Sequence, residues 1–119
     1  MPYKAEFYVR EVKMNYYEVL YIVSANLSDE ERQNLVQKFH DFVERNGGIL
    51  KSENEWGIRE LAYPIKKQDK GYYFLAYVDL NPSIVKDLYY FFKVTEGFLR
   101  AMIVKKEEKK EIEEVEENV

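Results

Sequence analysis

Along this chain the spacing of apolar residues switches repeatedly between period two and the period of a helix, and the order of those switches leaves few folds open. Tyr16 to Val23, YYEVLYIV, is rich in aromatic and β-branched residues and reads as a strand. Ser28 and Glu31 then stand at capping-box spacing, and Leu35, Phe39, Phe42 and Val43 recur on one helical face until Gly47 and Gly48 end the pattern. Ile49 to Ile65 is a long strand-like stretch in which Gly57 predicts a bulge or bend. Pro64 lies near its end, where a lost ladder donor matters least or where the strand is an edge. After the basic turn KKQDKG comes a further strand, KGYYFLAYVDL. Asn81 and Pro82 open a second helix whose apolar stripe is Val85, Leu88, Tyr89 and Phe92. Gly97 breaks that helix, and FLRAMIV supplies the last strand.

Strand, helix, strand, strand, helix, strand is the order of the split βαβ unit. The predicted fold is therefore α+β and ferredoxin-like, a four-stranded antiparallel sheet with both helices on one face. The organisation that goes with it is an N-terminal extension over residues 1–13, a single domain over 14–106 and an acidic tail over 107–119.

The third strand poses a question of its own. Lys70, Gly71, Tyr72, Phe74 and Tyr77 follow the pattern with which RNA-recognition-motif strands stack bases, although Tyr73 stands where a small residue belongs and Leu75 replaces Val. Alternation decides where these rings point. Tyr72, Phe74, Ala76, Val78 and Leu80 form one set; Tyr73, Leu75, Tyr77 and Asp79 form the other, and only the second carries a charge. Burying an unpaired Asp79 would cost several kcal/mol, so the first set faces the helices. The base-stacking pattern is then turned over, with Tyr72 and Phe74 in the core. Tyr73, Leu75 and Tyr77 form an exposed apolar stripe of the kind that marks an interaction surface.

Composition excludes several classes. With no Cys, disulfides and thiolate metal sites are impossible, and a reducing compartment is compatible. No apolar run approaches the ~20 residues of a membrane-crossing helix, and the N-terminus lacks the continuous apolar stretch of a signal peptide, which predicts a soluble cytoplasmic protein. The net charge of −4 argues against nucleic acid until its placement is considered. Residues 107–119 hold seven Glu and two Lys, a net of −5, which leaves residues 1–106 at +1. Phosphate contact, if any, must come from a local patch.

The stretch from Trp56 to Tyr73, WGIRELAYPIKKQDKGYY, resembles the signature of the bacterial small-subunit ribosomal protein six family. The matching positions are Gly57, Arg59, the run Leu61, Ala62, Tyr63, Pro64 and Ile65, then Lys67, Gly71 and Tyr72. The likeness extends from MNYYE at Met14 to LRAMIVK ending at Lys105, roughly residues 14–106. It implies the same ferredoxin-like fold and a structural role, binding the central domain of small-subunit ribosomal RNA together with small-subunit ribosomal protein eighteen. The family has basic residues just after its first Met where this chain has Asn15 and Tyr16; Lys4, Arg10 and Lys13 in the extension are candidates to replace that charge.

Nothing in the sequence has the makings of a catalytic centre. His40 is the only histidine, and no Ser, His and Asp set, phosphate-cradling glycine loop or metal-ligand spacing occurs. Asp29, Glu30 and Glu31 serve the positive end of a helix dipole. The expected protein is a binder with no enzymatic activity, no cofactor, no metal, no small-molecule substrate and no membrane association. Its candidate RNA contacts are Arg59, Tyr63, Lys66, Lys67 and Lys70 around the central hairpin, with Arg100 and Lys105 on the last strand. Its candidate partner surface is Trp56, Tyr73, Leu75 and Tyr77. The alternative is a free-standing ferredoxin-like module for single-stranded RNA or a small ligand, which requires Tyr72 and Phe74 to face solvent.

Overall fold

A computed structural model describes residues 13–107. The elements follow the predicted order: β1 (Asn15–Ser24), α1 (Asp29–Arg45), β2 (Ile49–Ile65), β3 (Gln68–Leu80), α2 (Val85–Val94) and β4 (Phe98–Lys106). One antiparallel sheet has the strand order β2-β3-β1-β4, so β1 and β3 are central and β2 and β4 are edges. Most of the N-terminal extension and of the acidic tail lies outside the described residues.

The helix boundaries have local causes. Ser28 accepts from the Glu31 amide and Glu31 accepts from the Ser28 amide, completing the capping box at the start of α1. Asn81 caps a short 3-10 turn, Pro82–Ile84, that leads into α2 with proline in its first turn. Both helices cover the same face of the sheet. At the centre of the core, Tyr21 of β1 is fully buried, with ring centroids 4.9 Å from Phe39, 5.0 Å from Phe74, 5.5 Å from Phe92 and 5.8 Å from Phe98. One aromatic cluster thus ties both helices to three strands. Such pairs contribute about 0.5–1.5 kcal/mol each beyond their buried area.

Burial along β3 follows the alternation read from sequence. Phe74, Ala76, Val78 and Leu80 are buried; Tyr73, Leu75, Tyr77 and Asp79 are half-buried on the open face. Tyr72 differs in degree. It packs against the rim of the core, half-buried, with the Arg32 guanidinium 4.0 Å from its ring centroid and its hydroxyl donating to Glu55. That hydrogen bond raises the Tyr72 pKa. Gly71, which a base-reading strand would use for close approach, serves packing here: a Cβ on it would collide with Ile22 Cγ2. Ile22 folds over Gly71, which accounts for its burial on a face otherwise open.

Tyr89 departs from its predicted place. It belongs to the α2 stripe in spacing, but only Leu88 and Phe92 of that helix are buried, and Tyr89 is 42% exposed. Its hydroxyl reaches the sheet edge instead, accepting from the Ile103 amide at 2.9 Å and lying 3.3 Å from the Ile103 carbonyl oxygen, to which it donates.

Candidate nucleic-acid interface

The β2–β3 hairpin outruns the rest of the sheet. β1 pairs with β3 only as far as Ser24 opposite Gly71, leaving residues 60–70 to extend beyond. Three register irregularities bend β2, between Leu50 and Ser52, Glu55 and Gly57, and Glu60 and Ile65. The last one contains Pro64, whose missing amide is therefore lost from an already broken part of the ladder.

The middle irregularity builds the first part of the interface. Trp56 and Arg59 are three residues apart, and on an unbroken strand they would lie on opposite faces. Gly57, with φ at +90°, permits a bulge that resets the alternation, a backbone state that a side chain would resist. Arg59 consequently stands over Trp56 with its guanidinium 5.1 Å from the ring centroid, and Trp56 stacks parallel to Tyr73 at 6.5 Å. Cation, indole and phenol form one ladder on the open face. Leu75 and Tyr77 continue it: Tyr77 stacks on Tyr16 at 5.7 Å and donates to Glu18 at 3.0 Å, which raises the Tyr77 pKa.

The hairpin tip builds the second part. It curls across the end of β1, where Ser24 Oγ donates to Gln68 at 2.8 Å, and reaches the opposite edge strand. There Lys66 Nζ donates to the Phe98 carbonyl at 3.3 Å and Arg100 donates to the Tyr63 hydroxyl. Lys66 and Lys67 form the two-residue turn, both at positive φ, 50° and 66°. A tight hairpin turn of that hand ordinarily takes Asn-Gly, so two lysines here are held under strain. Lys70 lies three residues on, opposite Glu60.

The sequence-predicted residues thus fall into groups. Tyr63, Lys66, Lys67 and Arg100 come together at the tip. Arg59 joins Trp56 and Tyr73, so a residue assigned to RNA shares a stack with two assigned to a partner. Lys105 stands apart: five residues from Arg100 it is roughly 17 Å along the strand, and alternation puts the two on opposite faces. Lys93 and Tyr89 of α2 line a hollow beside Lys66 and Arg100, a placement the sequence does not reveal. Their only signal is an i, i+4 spacing, which cannot show what the helix faces.

The comparisons with known proteins decide the lineage. The family model described as ribosomal protein S6 matches residues 16–105. The chain belongs to the ribosomal protein S6 family. Among curated relatives, the small ribosomal subunit protein bS6 of Thermoanaerobacter pseudethanolicus is 39% identical over 95 residues, covering 80% of this chain and 100% of that one. The corresponding protein of Caldanaerobacter subterraneus subsp. tengcongensis is 37% identical over 92 residues, covering 77% and 97%. The crystal structure of 30S ribosomal protein S6 from Thermotoga maritima superposes with a TM-score of 0.72 at 28% identity, covering 89% of this chain and 97% of that one. An S6 family member is a structural protein of the small subunit and not an enzyme. The ferredoxin-like fold is shared as well. With Phe74 only 3% exposed and the Tyr72 hydroxyl engaged by Glu55, the open-sheet base-stacking alternative loses the two rings it required. No described helix is long and apolar enough to cross a membrane.

Proposed function

We propose that this S6 family protein binds the central domain of small-subunit ribosomal RNA with its hairpin tip and associates along β2 with small-subunit ribosomal protein eighteen, as a cytoplasmic, ribosome-associated component. The observation that carries the reading is the curled tip. Lys66 and Lys67 of the projecting, hydrogen-bonded tip are brought to Arg100 of β4, with exposed Tyr63 beside them. Cations on a rigid projection suit phosphates, and an exposed ring suits an unstacked base. For the partner, the supporting features are the edge position of β2 and the adjoining stripe of Trp56, Tyr73, Leu75 and Tyr77, since strand addition engages an edge backbone while neighbouring pockets take side chains.

Because residues 1–106 carry only +1, little net attraction to RNA is available without a basic partner. Filter retention at physiological salt should therefore show weak binding by the protein alone and a tight ternary complex once the partner is added. Equal affinity with and without the partner refutes the coupling. Changing Lys66, Lys67 and Lys70 together to Ala should weaken the complex and reduce the log–log salt slope by about one unit for each phosphate no longer neutralised. An unchanged slope removes the tip from the interface.

A further inference from the structure

At the β4 edge, beneath α2, lies a hollow of about 330 Å³ lined by Lys66, Lys93 and Arg100 around Tyr89, Phe92 and Phe98. Its volume is near the lower end for ligand sites, enough for a single small aromatic group. No carboxylate lines it, and none of the three cations is paired with one among the described residues; Lys66 and Arg100 each give one of their several donors, to a carbonyl and a phenol, and keep the others. In a chain whose net charge is −4 this is a local excess of positive charge over an apolar, aromatic floor. Part of the backbone beside it is already taken, because Lys66 takes the Phe98 carbonyl and Tyr89 takes both polar groups of Ile103. What remains is a site for a flat apolar ring attached to an anion.

We infer that this hollow receives one unpaired nucleotide of the bound RNA, its base against the exposed ring of Tyr89, which stands above the buried Phe92 and Phe98, and its phosphate held by Lys93, Lys66 and Arg100. The inference rests on the RNA-binding reading and adds to it a base-accepting subsite and two residues, Lys93 and Tyr89. A base set on aromatic side chains is held without regard to sequence, and a phosphate on a cationic rim fixes which nucleotide enters.

The test uses the full chain at low salt, with amide shifts of residues 89–93 and 98–101 followed by NMR. The probes are a uridine pentanucleotide, its counterpart with an abasic central residue, and uridine 5′-monophosphate. The pentanucleotide should shift these amides and bind about tenfold more tightly than the abasic form, the scale of one base stacked on an aromatic. Lys93→Glu should abolish that preference while Lys93→Arg keeps it, with unchanged dispersion of the core signals showing that both remain folded. If Lys93→Glu leaves RNA binding intact while the Lys66, Lys67 and Lys70 triple variant weakens it, the subsite is refuted and the RNA reading stands. If the pentanucleotide does not bind while the ternary complex with ribosomal RNA and the partner still forms, the subsite is refuted and the RNA reading stands; if neither forms, both fall. Shifts from the monophosphate alone would make the hollow a free-nucleotide site, and loss of partner binding alone in Lys93→Glu would make it a protein contact; either overturns the inference.

Discussion

The two edges of this sheet are finished in opposite ways. β4 is short, and its outward backbone is plugged from within at two points: Tyr89 bridges Ile103 and Lys66 covers the Phe98 carbonyl. β2 is 17 residues long and three times irregular, and it lies at the edge of the sheet with β3 as its only neighbouring strand among the described residues. Exposed edges invite pairing with other chains, and bulges and plugs are two ways of managing that risk. A plugged edge offers an incoming strand fewer open groups, whereas a bulged one admits only a partner whose strand follows its bends. On the function proposed above, the difference leaves one edge to a protein and the other free to carry cations, a division that single substitutions can test.

The largest effect should come from what anchors β2 to the core. Glu53 of β2 accepts from the buried Tyr21 hydroxyl at 2.5 Å and lies 2.7 Å from His40 Nε2. Glu53→Ala strands the Tyr21 hydroxyl, which should lower unfolding free energy by about 2–3 kcal/mol in urea titrations. A drop of less than about 0.5 kcal/mol, the scale of an ordinary surface substitution, would show that β2 does not depend on this tie. Tyr21 also sets an alkaline limit. Burial first, then Glu53, raises its pKa far above the ordinary value of 10.0. A group raised in the folded state gives its full stabilisation below the unfolded pKa, so stability should be flat up to about pH 10 and fall beyond it by about 1.4 kcal/mol per pH unit. Tyr21→Phe should abolish that added fall.

The open edge should be sensitive in binding rather than in folding. Trp56 is 43% exposed and held by stacking on Tyr73 under Arg59. Truncation of an aromatic anchor at an interface centre costs about 2 kcal/mol or more. Trp56→Ala should therefore weaken capture of the partner protein about thirtyfold by calorimetry, with a change in melting temperature of no more than a few degrees. Partner affinity indistinguishable from that of the parent protein would move the interface off β2.

For the closed edge, Tyr89→Phe removes both plugging hydrogen bonds and leaves the ring in place. The Ile103 backbone groups can turn to water, so the expected cost is only about 1 kcal/mol. The sharper readout is self-association: a β4 edge newly open should raise the sedimentation-average mass at high concentration, and a mass that stays monomeric would mean that Tyr89 is not what keeps the edge shut.

How much of this is legible in the chain varies with the range of the interaction. Ser28 with Glu31, and Asn81 with Pro82, act within one turn, so spacing alone places both helix starts. Alternation places Phe74 in the core because β3 is central and unbroken from Tyr72 to Leu80, so no shift intervenes. Gly57 announces a bulge, but not that the bulge brings Arg59 over Trp56, which needs the reset of faces after it. Tyr89 has the spacing of a core residue and is not one, because helical spacing reports a shared face and not how far the sheet extends beneath it. Arg100 and Lys105 are near each other in sequence, and the pleat separates them. The curl that brings Lys66 to Phe98, 32 residues away, has no local signal at all.

The smallest effect concerns the turn that joins the open edge to the closed one. Lys66 and Lys67 occupy left-handed backbone conformations that Asn and Gly adopt at less cost. Relief at both positions would gain about 1–2 kcal/mol in isolation. Against that, the shorter asparagine could not reach the Phe98 carbonyl that Lys66 covers, and the freer glycine would raise the entropy of the unfolded chain. The net gain for Lys66→Asn with Lys67→Gly should be about 0.5 kcal/mol, visible as a small rise in melting temperature. RNA binding should move the other way, losing about two units of salt slope with the two charges. A variant more stable and less able to bind would identify the turn as strain retained for its cations. If stability falls, the lysines hold the curl, and their hydrogen bond to β4 outweighs the strain.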